Sequence, residues 1–136
     1  MNEGGYHAIP KLTFPGGMLA GCSAGFLNVA KIKGSHNAMK TGMLAAEAIF
    51  ENYKKNDGQV TGDELVDYET SVRNSWVAEE LKVTRNFKSG FDKGLWAGLA
   101  HGGLISHITK GREPWTLSHK TRDAETTKPA SEFKEI

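Results

Sequence analysis

The chain has 136 residues, 17 Lys and Arg against 16 Asp and Glu, and a formal net charge of +1. That length suits about one domain, and the balanced charge gives no electrostatic case for nucleic acid. Hydrophobic residues make up 38% and mean hydropathy is −0.45, which excludes a polytopic membrane protein. The single cysteine, Cys22, excludes an internal disulfide framework and any self-contained cysteine-ligated zinc or iron–sulfur site.

Residues 1–17 read as irregular, punctuated by Gly4-Gly5, Pro10 and Pro15-Gly16-Gly17, and lack the basic-then-apolar shape of a signal peptide. Residues 18–22 predict a short buried strand, apolar and bounded by glycine. It empties into the small residues Gly21, Cys22, Ser23, Ala24 and Gly25, and a helix begins at Gly34-Ser35. Small residues let a ligand approach the backbone, and free N–H groups at a helix start favour anionic or carbonyl oxygen. Thr13–Gly42 therefore reads as a binding turn for a cofactor.

A helix is predicted over 35–54, with Ser35 as N-cap and Met39, Met43, Ala46, Phe50 and Tyr53 marking one face. Lys54 to Gly58 end it. Thr61 and Glu64 have capping-box spacing and open a second helix, about 61–86. Leu65, Tyr68, Val72, Trp76 and Glu80 form its stripe, with Val77 and Leu81 beside it.

A third apolar segment, 91–109, is too short and interrupted to span a bilayer, which needs roughly 20 apolar residues. Gly94, Gly98 and Gly102 give it a smooth ridge for another helix. Leu95, Trp96, Leu99, Leu104, Ile105 and Ile108 supply apolar surface, Lys88, Lys93, Lys110 and Arg112 flank it, and Trp115 follows. The segment fits a helix lying in a membrane interface and equally a helix in a soluble core. The polar tail, 118–136, reads as a linker.

The chemical candidates are few. Cys22 follows a strand pattern as nucleophiles do, but its surroundings lack G-x-S-x-G spacing, and a small buried cysteine is the plainer reading. The histidines at 7, 36, 101, 107 and 119 are scattered, so no metal site is expected. Lys31 and Lys33 are placed to meet phosphate or a flavin carbonyl, or only solvent. Asn28 sits among Phe26, Leu27 and Val29, so its amide needs partners, from a ligand or from backbone. No complete G-x-G-x-x-G follows a strand.

The segments NEGGYHAIPKLTFPGG, GCSAGFLNVAKIKGSHNAMKTGMLAAEAIF and GREPWTLSHK closely resemble electron transfer flavoprotein–ubiquinone oxidoreductase. The resemblance covers nearly the whole chain but only an internal piece of that enzyme. It implies a mostly helical α/β fragment: the closing strand–helix unit of a glutathione-reductase-like FAD domain (1–58), then a helical segment (59–117) whose stretch 91–109 lies on the membrane, then a linker (118–136). The glycine-rich FAD fingerprint and the glycine pair associated with ubiquinone would lie upstream of Met1. The four cysteines of a [4Fe–4S] cluster would lie downstream of Ile136.

By position, Gly21, Cys22, Gly25 and Asn28 would run along the flavin, with Lys31, Ile32, Lys33 and Gly34 facing its carbonyl side. Where related flavoproteins often have an aspartate bonding the ribityl chain, this sequence has Cys22. The implied task is electron relay from reduced electron transfer flavoprotein to ubiquinone at a bacterial or mitochondrial inner membrane, with no side chain acting as acid or base. A geranylgeranyl-reductase-like flavoprotein and a non-enzymatic membrane-surface module are the rivals.

Overall fold

A computed structural model describes residues 4–118 and 128–133. The expected linker falls mostly outside the described residues, as does His119. A minimal hairpin pairs β1 (Thr13–Phe14) with β2 (Gly17–Met18), Thr13 opposite Met18. Pro15 followed by Gly16 is the residue order of a type II turn. The Leu19 N–H donates to the Leu12 carbonyl (2.8 Å) and extends the ladder by one rung.

The strand expected over 18–22 ends at Met18. Gly21–Ala24 is a 3-10 turn, framed by Gly21 at φ 67° and Gly25 at φ 87°. Left-handed backbone at both ends cannot continue a strand, and only glycine adopts it freely.

The 21-residue α1 (Ser35–Lys55) follows, within a residue of its expected span. Gly34, not Ser35, takes the cap position, and no side chain caps the helix. The bridge between Asn28 and Lys33 pins the chain just before Gly34, so Ser35 is the first helical residue and not the cap.

The helix expected over 61–86 is two: α2 (Val66–Arg73) and α3 (Trp76–Val83). Ser75 is extended (φ −88°, ψ 161°) and its hydroxyl donates to the Val72 carbonyl (2.7 Å), which breaks the run. The capping box does not form. The Thr61 hydroxyl donates to Asn52 Oδ1, and Glu64 receives the Thr13 hydroxyl (2.8 Å) and the Lys11 ammonium (2.7 Å).

Leu12, Ala24, Phe26, Leu44, Tyr68, Val72, Val77 and Leu81 form the core, drawing on the hairpin region, the glycine turn and three helices. The Tyr68 hydroxyl reaches the Leu19 carbonyl (2.8 Å), and burial pushes its pKa up to about 12. Asn37, Thr41 and Leu44 are the buried positions of α1. The stripe Met39, Met43, Ala46, Phe50 and Tyr53 does lie on one face, and that face is exposed.

A 3-10 turn, Lys88–Lys93, leads into α4 (Leu95–Gly103), which widens to a π-helical turn over Leu104–Thr109. The glycine ridge is used, but by this preceding turn and not by a long helix. A Cβ at Gly98 would lie 2.2 Å from the Phe91 ring, and one at Gly102 would lie 2.9 Å from Phe87. Gly94 meets nothing and only starts the helix.

Candidate functional site

The glycine turn and the start of α1 are locked together by one hydroxyl. Thr41 Oγ1 accepts the Gly21 N–H (3.0 Å) and donates to the Asn37 carbonyl one turn back (2.8 Å). A Cβ at Gly34 would fall 2.8 Å from Cys22 Sγ, so the turn can lie against the helix only because Gly34 has no side chain. Cys22 is half-buried. Gly21, Gly25 and Gly34 are all buried and form the floor of the arrangement.

From this floor, 28–33 rises as a small loop. Asn28 is fully buried, and its backbone pairs with Lys33 in both directions (2.9 and 3.3 Å). Its amide draws its partners from the chain: Nδ2 donates to Glu80 Oε1 (2.6 Å) and Oδ1 accepts the Lys31 N–H (3.1 Å). The ligand that the sequence left open as a partner for Asn28 is therefore not needed for it. Asn28 shapes the loop instead. At its tip Ile32 is 76% exposed with φ 52°. A β-branched residue in the left-handed region costs of order 1–3 kcal/mol and persists only where the surroundings enforce it.

The group that enforces it is Glu80, which the sequence presented only as a polar member of an apolar stripe. Its carboxylate receives Asn28, the Lys31 ammonium (3.3 Å) and His36 Nε2 (3.0 Å). Trp76, four residues before Glu80 on the same face of α3, stacks on the His36 ring (5.7 Å, 5° between planes). One carboxylate thus ties α3 to the loop and to the first turn of α1. A charge on an otherwise apolar stripe was the signal that could have found it. Lys31 is committed to this pair, leaving Lys33 exposed beside the helix start.

Burial raises the Glu80 pKa, but hydrogen bonds from Asn28, His36 and Lys31 together outweigh it and hold the carboxyl below its ordinary value of 4.5. A depressed folded pKa contributes stability that is present above the unfolded value and lost as pH falls through the folded one. Glu80→Gln is expected to cost about 1–2 kcal/mol at neutral pH. That gap should close on acidification below about 4.5. Denaturant melts of both proteins at pH 7 and pH 4 check it, and an equal gap at both values would contradict the assignment.

Asn37, in the first turn of α1, is buried with neither amide atom bonded among the described residues. The sequence did not single it out.

At the other end of the molecule, Leu95, Trp96, Leu99, Leu104, Ile108 and Trp115 are exposed, Trp96 at 82%. Ile105, expected with them, is buried at 1%. The widened turn from Leu104 shifts the register, so Ile105 points into the protein while its neighbours stay out. Beside α4 lies a hollow of about 660 Å³, with Ser89, Gly90, Lys93, Ala97 and His101 among its lining. Ser89 Oγ and His101 Nε2 are buried without hydrogen-bond partners among the described residues. No helix among the described residues is long and apolar enough to cross a membrane.

No family model matches the chain. Curated proteins do. The chain is 49% identical over its whole length to the mitochondrial electron transfer flavoprotein-ubiquinone oxidoreductase of Caenorhabditis elegans. It is 50% identical, again over its whole length, to a protein named as the probable mitochondrial enzyme of Schizosaccharomyces pombe. Against the Homo sapiens protein of the same name identity is 48% over 97% of the chain. This chain is homologous to an internal part of the electron transfer flavoprotein–ubiquinone oxidoreductases. It spans 22–23% of the length of these relatives. The resemblance carried by the glycine turn, the 28–34 loop and the 111–118 stretch is thus a relationship over every element described above.

Proposed function

We propose that the chain forms the closing edge of an FAD site and a membrane-facing surface in an enzyme that carries electrons from reduced electron transfer flavoprotein to ubiquinone. The observation that carries this reading is the near-50% identity to oxidoreductases of that name along the entire chain. The residues fit one edge of a flavin. Gly21, Gly25 and Gly34 let the turn pack closely against the start of α1, which sets the 28–34 loop beside the helix start. The start of α1 has no side-chain cap, so its N–H groups are available to carbonyl oxygen. The strained backbone at Ile32 is the kind of outlier that clusters at ligand sites.

When bound, FAD supplies the redox chemistry. The chain's own part is to orient and polarise. Backbone at Gly21, Cys22 and Gly25 would lie along the cofactor. Asn28 and Glu80 hold the 31–34 segment; the Lys31 and Lys33 N–H groups are taken by Asn28, so the Ile32 and Gly34 N–H groups would be the donors left for the pyrimidine carbonyls, and Lys33 would add positive charge where reduction places negative charge. Donors fixed in advance would favour the reduced form without reorganising. Two groups beside α4, Ser89 and His101, offer unsatisfied hydrogen-bonding atoms near a hollow large enough for a quinone head group. Leu95, Trp96 and Leu99 would rest in the lipid from which a quinone arrives.

A chimera tests the reading. The 136 residues replace the matching segment of the human relative, and flavin content and quinone reduction by reduced electron transfer flavoprotein are measured. The expected chimera retains about one flavin per chain and within roughly tenfold of the parent rate. A folded chimera without flavin would sink the proposal. The chain alone lacks a dinucleotide fingerprint and is expected not to retain stoichiometric yellow flavin through purification.

A further inference from the structure

We propose that the hollow beside α4 is a head-group site for a zwitterionic phospholipid with a primary amine, an ethanolamine phosphodiester. This goes beyond the proposed electron relay and rests only on the reading of α4 as a membrane-facing element. The hollow measures about 660 Å³ and is lined by the 88–93 turn, α4 and residues 116–118. Its lining is set by packing. A Cβ at Gly90 would lie 2.4 Å from the His101 ring, so the imidazole seats against the turn only because Gly90 has no side chain. Phe91 and Phe87 close on Gly98 and Gly102 in the same way. The turn and α4 therefore hold Ser89 and His101 in fixed places.

Those two residues are built in and left unused. Ser89 is 6% exposed, and neither its Oγ nor His101 Nε2 has a hydrogen-bond partner among the described residues. Buried polar atoms are nearly always paired, so two unpaired ones from the lining of a single hollow point to a ligand that carries acceptors. The charges choose that ligand. Lys93 and Asp92, one of each sign, also line the hollow, and Thr116 and Ser118 complete its polar lining. Inorganic phosphate carries only negative charge and would leave Asp92 opposed. A quinone head group has carbonyl oxygens for Ser89 and His101 but no charge for Lys93 and Asp92. An ethanolamine phosphodiester uses all four: its phosphate accepts from Ser89, His101 and Lys93, and its ammonium donates to Asp92. A choline ammonium has no N–H to donate, and the described lining holds no Trp, Tyr or Phe for it to rest on. Ala97 and His101, one turn apart, give one side of α4 to the hollow, while Leu95, Trp96 and Leu99 are exposed around the helix from it. A lipid lying across α4 places its head group on the first side and its acyl chains along the second.

Monomeric lipid tests the hollow without any membrane, so its outcome is separate from that of vesicle flotation. Dihexanoylphosphatidylethanolamine, below its micelle concentration, is titrated into the 136-residue chain while the His101 ring is followed by NMR. A saturable shift is expected. Dihexanoylphosphatidylglycerol and dihexanoylphosphatidylcholine should bind at least about fivefold more weakly, the size of one lost hydrogen bond. Asp92→Asn should remove that preference. Ser89→Ala should weaken the ethanolamine lipid by about fivefold or more while its thermal midpoint holds or rises, because the deleted hydroxyl has no partner in the fold. A lowered midpoint would give Ser89 a structural role and overturn the assignment. So would equal binding of the three lipids, saturation by inorganic phosphate at the same concentration, displacement of the lipid by decylubiquinone, or the lack of any saturable shift. Saturation by the ethanolamine lipid together with failed flotation keeps the site and retires the membrane-facing reading of α4.

Discussion

Replacing Arg85 with methionine is expected to destabilise the chain by about 3–5 kcal/mol, the usual cost of removing one partner of a buried charge pair. Arg85 is 8% exposed and its guanidinium closes the C-terminal region on itself. It donates to the carbonyls of Lys82 (2.9 Å), Gly111 (2.9 Å), Glu113 (2.7 Å) and Trp115 (3.2 Å) and to the Thr116 hydroxyl (3.2 Å). It also lies 3.4 Å from the carboxylate of Glu113, whose side chain is fully buried. Methionine keeps the apolar stem and removes every donor. The Gly111 and Glu113 carbonyls lose the guanidinium donor, the Lys82 and Trp115 carbonyls keep only the Arg85 backbone N–H and the Asn86 amide, and Glu113 is left without its countercharge.

Burial raises the Glu113 pKa, but the Thr109 hydroxyl, its own backbone N–H, Asn86 and Arg85 outweigh that and hold the carboxyl low. Its contribution is therefore present above the ordinary value of 4.5 and fades as pH falls through the depressed one. Without Arg85 part of that depression disappears, so the variant should lose less on acidification than the parent. Denaturant unfolding at pH 7 and pH 4 measures both effects, and a cost under about 1 kcal/mol at pH 7 would contradict the role given to the guanidinium. The double variant Arg85→Met with Glu113→Gln apportions the loss. Recovery of most of it assigns the cost to the buried charge, and no recovery assigns it to the carbonyls.

Nothing local in the sequence announces this cluster. Arg85 and Glu113 lie 28 residues apart, and neither sits in a spacing that periodicity or capping rules read. The α1 boundaries were legible, because a 3.6-residue period closed by Lys54 and Lys55 is a local pattern. Which side of α1 faces inward was not. Period marks an apolar stripe but not what covers it, and here Asn37 and Thr41 take the inner side while methionines take the outer. Thr61 and Glu64 had the right spacing for a capping box, but Lys11 and Thr13 reach Glu64 from about fifty residues away and win it. The glycine turn was legible as a place of close approach and not as a turn. Composition shows small residues, whereas the left-handed backbone at Gly21 and Gly25 follows from packing on α1. Asn28 was correctly marked as a buried amide in need of partners. Its partner Glu80 lies on another helix, so only the tertiary structure could supply it.

Changing Leu95, Trp96 and Leu99 together to aspartate is expected to abolish flotation with anionic vesicles, lowering partition by at least about a hundredfold. The estimate follows from about 1 kcal/mol or more for each half-exposed side chain withdrawn from lipid, at 1.4 kcal/mol per tenfold. The three added negative charges repel an anionic surface and deepen the loss. All three residues point outward, Trp96 the most, so the substitution leaves the fold intact and the denaturation midpoint should hold. Ile105→Asp is the internal contrast. That side chain is 1% exposed, so its aspartate should unfold the region instead of merely releasing it from lipid. Lys88, Lys93, Lys110 and Arg112 border the same surface, each worth about 1 kcal/mol near anionic lipid, so binding by the parent should weaken with salt. Unchanged flotation of the triple variant would remove α4 from the membrane and point to the outward face of α1 as the lipid-binding side. That face carries Glu47 and Glu51 on its rim, whereas around α4 the basic residues Lys88, Lys93, Lys110 and Arg112 outnumber the exposed Asp92, and this asymmetry is what favours α4 for the proposed lipid contact.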